Sequence, residues 1–393
     1  MNTKKWLTLT SIVRILTNHF PSKHYQRWVF PSVALCLLWS ASPGRLLAQG
    51  CIAARGCGIM PGGYGLNLGE ALPPSNGFQA NFGYRWLHSD RHFVGDVEQK
   101  QRQAEGSQVI NDQHFMDIGL TYAFNPRFSA TVTFPFVVND RSQVVRSNDV
   151  NRTILERSHT QASGVSDVRV MGNFWVLNPH EHMKGNVLLG LGVSIPTGQD
   201  DARDTFPVFK SGQIVAQDKT VDQSIQPGSG GWGIVLDIYA YQQILPRLNA
   251  YINGAYTFTP QEENGVPTYR SNPFEAKMSI GDSYMGRGGF EFLVWPKYGV
   301  TLSLGGRIEG VPVEDAIGGS NGFRRPGYAI SVEPGVSASI KSWSFNLYTP
   351  VAVYRNREQS VPDKQLQAAT GTPQHGDAAF ADFLVMFNIT RRF

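Results

Sequence analysis

Residues Phe380 to Phe393, FADFLVMFNITRRF, decide the fold. Read back from the end, every second residue is Phe393, Arg391, Ile389, Phe387, Val385 and Phe383. The residues between are Arg392, Thr390, Asn388, Met386, Leu384 and Asp382. A period of two makes this a strand with two unlike faces. It stops on a bare aromatic ring. An ordinary terminal strand of a soluble sheet gains little from such an ending. In a transmembrane β-barrel the ring sits in the interfacial aromatic girdle, and the strand closes the wall against the first one.

The same alternation recurs from Phe78 onward. Phe78, Ala80, Phe82, Tyr84 and Trp86 share one face; Gln79, Asn81, Gly83 and Arg85 share the other. Eleven such segments precede the terminal one, most about ten residues long, the length a tilted strand needs to cross a bilayer. Their connections alternate in length. Asn125-Pro126-Arg127, Leu245-Pro246-Arg247, Trp295-Pro296-Lys297 and Lys341-Ser342 are short, and 178–184 is nearly so. The others, at 89–113, 139–165, 196–230, 260–280, 309–326 and 356–379, are long. A barrel with both ends in the periplasm has short inner turns and long outer loops. A soluble sandwich has no reason to sort its loops this way. The expectation is an all-β chain: a closed antiparallel transmembrane β-barrel of about 12 strands over 78–393. Closure is required because an open sheet edge in hydrocarbon leaves backbone groups unpaired.

Composition agrees. Of 393 residues 41 are glycine and only 17% are charged, and no long apolar run follows the N-terminal region, which excludes a helical membrane protein. The formal charge of +4 comes from Lys4, Lys5, Arg14, Lys23, Arg27 and Arg45, with no acid among residues 1–48. Taking these six from 35 basic residues leaves 29 against 31 acidic ones, so no nucleic-acid partner is implied. Residues 1–48 read as a secretory signal peptide, with an apolar stretch from Val29 to Ala41 and cleavage near Ala48. Residues 49–77 read as a periplasmic lead-in or a small plug. Cys51 and Cys57 would form a local disulfide in an exported chain, with lipidation of Cys51 as the alternative.

The polar faces of the strands carry Arg85, Asp117, Asp167, Arg169, Asp237, Arg287, Glu291, Arg307 and Glu333. These are the candidate lumen-lining residues, either bordering a path for a small solute or pairing across the barrel and closing it. No catalytic set emerges. His88, Asp90, Arg91 and His92 read as a solvated loop. Asp200, Asp201 and Asp204 lack calcium-loop spacing. His114 has no serine placed beside it by spacing. No metal, cofactor or enzymatic activity is expected.

Two resemblances extend this reading. The terminal pattern resembles the C-terminal signal of bacterial outer-membrane barrels, which is read by their barrel assembly machinery. That assigns Phe387, Ile389 and Phe393 to the signal and makes Arg391 a departure. Second, SGVSDVRVMGNFWVL (163–177), GVSIPTGQDD (192–201) and DQSIQPGSGGWGIVLDIYAYQQI (222–244) occur in that order. This resembles the outer-membrane family named for a meta-pathway of phenol degradation, whose members are described as transporters. The resemblance implies the bacterial outer membrane, its lipid, and passive transport of a small, hydrophobic or aromatic solute. The rival reading is a structural or surface-interaction barrel with a closed lumen.

Overall fold

A computed structural model describes residues 49–50 and 76–393. The calls on residues 1–48 and on Cys51 and Cys57 fall outside them. The chain forms a closed barrel of 12 antiparallel strands. They are β1 (Gly77–Val94), β2 (Ile110–Ala123), β3 (Phe128–Arg146), β4 in two pieces (Ile154–Val165 and Val168–Trp175), β5 (Gly185–Ile195), β6 (Gly233–Leu245), β7 (Leu248–Phe258), β8 (Ser283–Trp295), β9 (Val300–Val311), β10 (Gly327–Ile340), β11 in two pieces (Trp343–Tyr348 and Val351–Arg357) and β12 (Ala378–Arg392). Each pairs with its neighbours in sequence. The seam is β1 on β12, from Gln79 opposite Arg392 to Trp86 opposite Val385 and beyond. The last residue completes it: the Phe393 N–H donates to the Phe78 carbonyl at 2.9 Å. Gln49–Gly50 pairs with Ala381 and Phe380 of β12.

The alternation has the expected sense. On β1, Gln79, Asn81, Arg85 and Leu87 are buried, while Phe78 and Phe82 point outward. Ile118, Phe134, Leu191, Ile252, Phe290 and Leu302 are likewise exposed, each at half or more of its area. An exposed apolar belt around a whole protein has no stable place in water. Aromatic residues bound the belt. The turn end carries Phe78 on Tyr122, Phe128 on Phe174 and Trp295 on Tyr298. The loop end carries Trp86 on Phe383, Tyr256 on Tyr284 and Tyr328 on Tyr354. Eight residues separate Phe78 from Trp86, roughly 20 Å along the axis of a strand tilted about 40°. Arg391 belongs to this girdle. Its guanidinium lies over the rings of Trp343 and Phe393, at 5.1 and 4.8 Å, so a cation at the interface stays compatible with the belt.

Leu191, midway along β5, offers a test. Leu191→Arg is expected to destabilise the barrel in liposomes by about 2–4 kcal/mol, read from denaturant unfolding. A change within about 0.5 kcal/mol, usual for a water-exposed site, would remove that face from the membrane.

The long loops hold more structure than their sequences announce. β3 runs on to Arg146 and pairs with the first piece of β4, so 139–165 is largely a hairpin and not a loop. Above the belt both faces of a strand are polar, and no apolar row marks it. Arg203–Lys210 and Gln213–Thr220 form a further hairpin. Ala162, Ala202, Phe206, Val221 and Ile225 make a small core beneath it. Val361–Thr370 is a helix opened by a capping box between Ser360 and Asp363. The first piece of β4 pairs with β3 alone, so the wall between β4 and β5 is complete only below Ser166.

Candidate lumen site

Strand register brings four of the sequence-selected residues together. β8, β9 and β10 are adjacent, with Arg287 opposite Arg307 and Arg307 opposite Ser331. Glu333, fully buried, accepts from Arg287 at 3.0 Å and from Arg307 at 3.2 Å. Arg307 also donates twice to Glu309, at 2.6 and 3.0 Å. Arg287 reaches further, donating to Asn253 Oδ1 at 3.2 Å and lying near the rings of Tyr251 and Tyr348. Asn253 in turn donates to Asp237 at 3.3 Å. The result is a chain of charge and amide groups across one wall. Glu291 is buried on the same inner face.

The other candidates stand apart. Arg85 lies over the Phe115 ring at 4.3 Å. Asp117 and Arg169 form a loose pair at 3.8 Å. Asp167 has a different role from that of a charge on a strand face. It sits in the break of β4 and accepts the Gly198 N–H at 3.1 Å and the Ser229 N–H at 2.9 Å. Those two residues belong to the Pro-Thr-Gly and Gln-Pro-Gly-Ser-Gly segments, so one carboxylate joins the three quoted stretches. Glycine is needed there: a Cβ on Gly198 would fall 2.7 Å from the Gly228 Cα.

Sequence reading missed the apolar part of the interior. Leu87, Phe115, Val137, Ala381, Leu384 and Met386 cluster on the inner faces of β1, β2, β3 and β12. Trp175, Leu188, Tyr239, Tyr241 and Tyr251 form a second cluster, on β4 to β7. The signal was present: Leu384 and Met386 interrupt the polar row of the terminal strand, and Leu188, Tyr239 and Tyr241 stand out of phase with the outward rows.

At the loop end the loops fold inward. The turn Gln223–Ile225 docks on β2 and β3, where Gln113 donates to the Ser224 carbonyl at 2.6 Å and Asn139 to the Ile225 carbonyl at 3.0 Å. Asp222, just before it, is buried and receives two bonds of 2.8 Å from Arg325. The Tyr269 hydroxyl also donates to it, and Arg141 of β3 lies at 3.5 Å. Burial alone would raise its carboxyl; Arg141 and Arg325 outweigh that and hold it well below the usual range. Three loops and the wall thus meet on one carboxylate. Beside this knot lies a cavity bordered by Arg169, Ser229, Ile280 and Arg325 among others.

The histidines take unforeseen places. His88 to His92 lie on β1, not in a solvated loop. Arg91 and His92 are buried because Arg91 pairs with Glu98 and Asp382, and His92 bonds Asp377. His114 points outward between the Tyr84 hydroxyl at 2.8 Å and Asp112 at 3.2 Å. Trp86 and His88 share the same carboxylate. No serine hydroxyl meets His114 among the hydrogen bonds of the described residues.

With this geometry in hand, comparison with known proteins is informative about the fold. No family model matches the chain, and no curated relative does. Among solved structures, an outer-membrane channel from Pseudomonas putida F1 is similar over 86% of this chain and 100% of that one, at 12% identity and a TM-score of 0.52. The fold is that of an outer-membrane barrel. Weaker likenesses are the P. putida toluene transporter TodX (9% identity, 81% of this chain and 90% of that one, TM-score 0.41) and the monoaromatic hydrocarbon channel CymD (9%, 89% and 98%, TM-score 0.39).

Proposed function

We propose that this protein is a passive outer-membrane channel for small hydrophobic or aromatic solutes. The observation that carries this reading is the pair of apolar clusters on the inner wall, one with Leu87, Phe115, Leu384 and Met386 and one with Tyr239, Tyr241 and Tyr251. Both clusters are buried, so a water-filled pore gains nothing from them, whereas an apolar solute that parted their side chains would keep apolar contact throughout. The sequence resemblance to the phenol meta-pathway family points the same way. In this reading Arg85, Asp117, Arg169, Asp237, Arg287, Glu291, Arg307 and Glu333 border the path, as does Asp167 where it ties the loops. The signal peptide leaves near Ala48, and Phe387, Ile389 and Phe393 address the chain to the assembly machinery.

The inward loops tied at Asp222 favour a second reading, a structural barrel that stays shut. Uptake separates the two. Cells that express the protein are expected to take up radiolabelled toluene at limiting concentration several-fold faster than cells without it, and Leu384→Arg should abolish the gain. Equal rates in all three would leave the closed barrel.

A further inference from the structure

Between the barrel wall and the inward loops lies a second cavity, of about 180 Å³. Four guanidinium groups border it: Arg102, Arg141, Arg270 and Arg325. Among the described residues one carboxylate, Asp377, does so, with His92, Gln143 and Tyr269 completing the polar lining. Behind the lining, Asp222 holds Arg325, and Glu275 holds Arg270 at 2.9 Å. Arg102 pairs with Asp377. Four arginines therefore face three acids. Arg141 is buried and incompletely satisfied: its Nη1 donates to Asn111 Oδ1 at 2.9 Å and Ser224 Oγ at 3.3 Å, its Nη2 lies 3.5 Å from Asp222, and its Nε has no hydrogen-bond partner. A buried guanidinium N–H left without an acceptor is costly, and an anion entering the cavity would supply one.

The surroundings are aromatic as well. The Arg270 and Arg325 guanidiniums lie 4.7 and 4.6 Å from the centre of the Phe323 ring, and Phe206 packs near Tyr269. A cavity of about 150 Å³ accommodates a benzene ring. We infer that this cavity binds a small organic carboxylate, its oxygens received by Arg102, Arg141 and Arg270. Planar guanidinium groups match a carboxylate in two-point hydrogen bonding. Arg102 and Arg270 are each about one-third exposed and can turn toward a ligand without unfolding the loops.

The inference builds on the channel reading only in naming a solute, and it is tested by binding alone. Calorimetric titration of the full mature chain in detergent would use sodium benzoate, benzyl alcohol and inorganic phosphate. Benzoate is expected to bind saturably and at least about tenfold more tightly than the other two. Arg102→Gln and Arg270→Gln should each weaken it by about tenfold, and Arg270→Lys by less. Benzyl alcohol binding as well as benzoate would overturn the site, as would phosphate binding as tightly, which would mark a phosphate or lipid-headgroup site. So would variants that keep the folded gel migration and bind benzoate like the parent. The wild-type comparison of three ligands decides the matter even if the variants fail to fold. Benzoate binding with no gain in toluene uptake would retain the site and reject the apolar channel; the converse would reject the site alone.

Discussion

Replacing Glu333 with alanine is expected to destabilise the barrel by about 3–5 kcal/mol, the usual result of removing one partner of a buried ion pair. Glu333 is fully buried and is shared by two arginines. Arg307 keeps Glu309, but Arg287 keeps only Asn253 and the neighbouring rings. Removing one acid from the inner wall would also shift the interior towards anions, against the remaining Asp237 and Glu291 beside Arg287. Equilibrium unfolding in liposomes reads the first effect, and the reversal potential across a planar bilayer under a salt gradient reads the second. A loss below about 1 kcal/mol would mean that water already reaches Arg287 and shares its charge. Glu333→Gln should fall between, since it keeps two acceptor sites but loses the charge.

The second large effect is expected at the mouth. Asp222→Asn leaves Arg325 and Arg141 facing a neutral amide in a buried setting, a loss of about 3–5 kcal/mol concentrated in the loops. The barrel below should stay folded, because its strands pair independently of these loops. Amide hydrogen exchange in 221–231, 259–282 and 312–326 should rise, and single-channel conductance with it. Unchanged exchange would show that docking of Gln223–Ile225 on Gln113 and Asn139 suffices to hold the mouth shut.

The pH dependence has a definite sign. The Asp222 carboxyl titrates below its free value, so the closure is complete above the ordinary carboxylate range near pH 4 and fades only as pH falls through the depressed value. Its partners are two arginines and Tyr269, whose hydroxyl is pushed up to about 12, chiefly by burial. Wild-type conductance should therefore be flat between about pH 5 and pH 9, and a step in that window would assign the mouth to another group.

How much of this was legible in the sequence differs from place to place. The lipid-facing rows could be read because membrane and lumen impose opposite polarities on alternate residues, and the period survives in the chain. Outside the bilayer that contrast ends, which is why the extension of β3 to Arg146 and the hairpin at 203–220 were hidden. Arg91 and His92 read as solvated for the same reason: their partners Glu98, Asp382 and Asp377 are supplied by other segments. Asp222 stood inside a quoted motif, yet nothing local shows that Arg141 and Arg325, distant in sequence, converge on it.

By itself the sequence determined the strand count, the faces and the sidedness of the loops, since each follows from a period of two and from connection length. Only the tertiary structure decided which inward charges meet, that Asp167 binds loops instead of facing the lumen alone, and that apolar clusters share the interior. Those outcomes depend on register between strands and on where loops fold, and register joins residues that no local pattern relates.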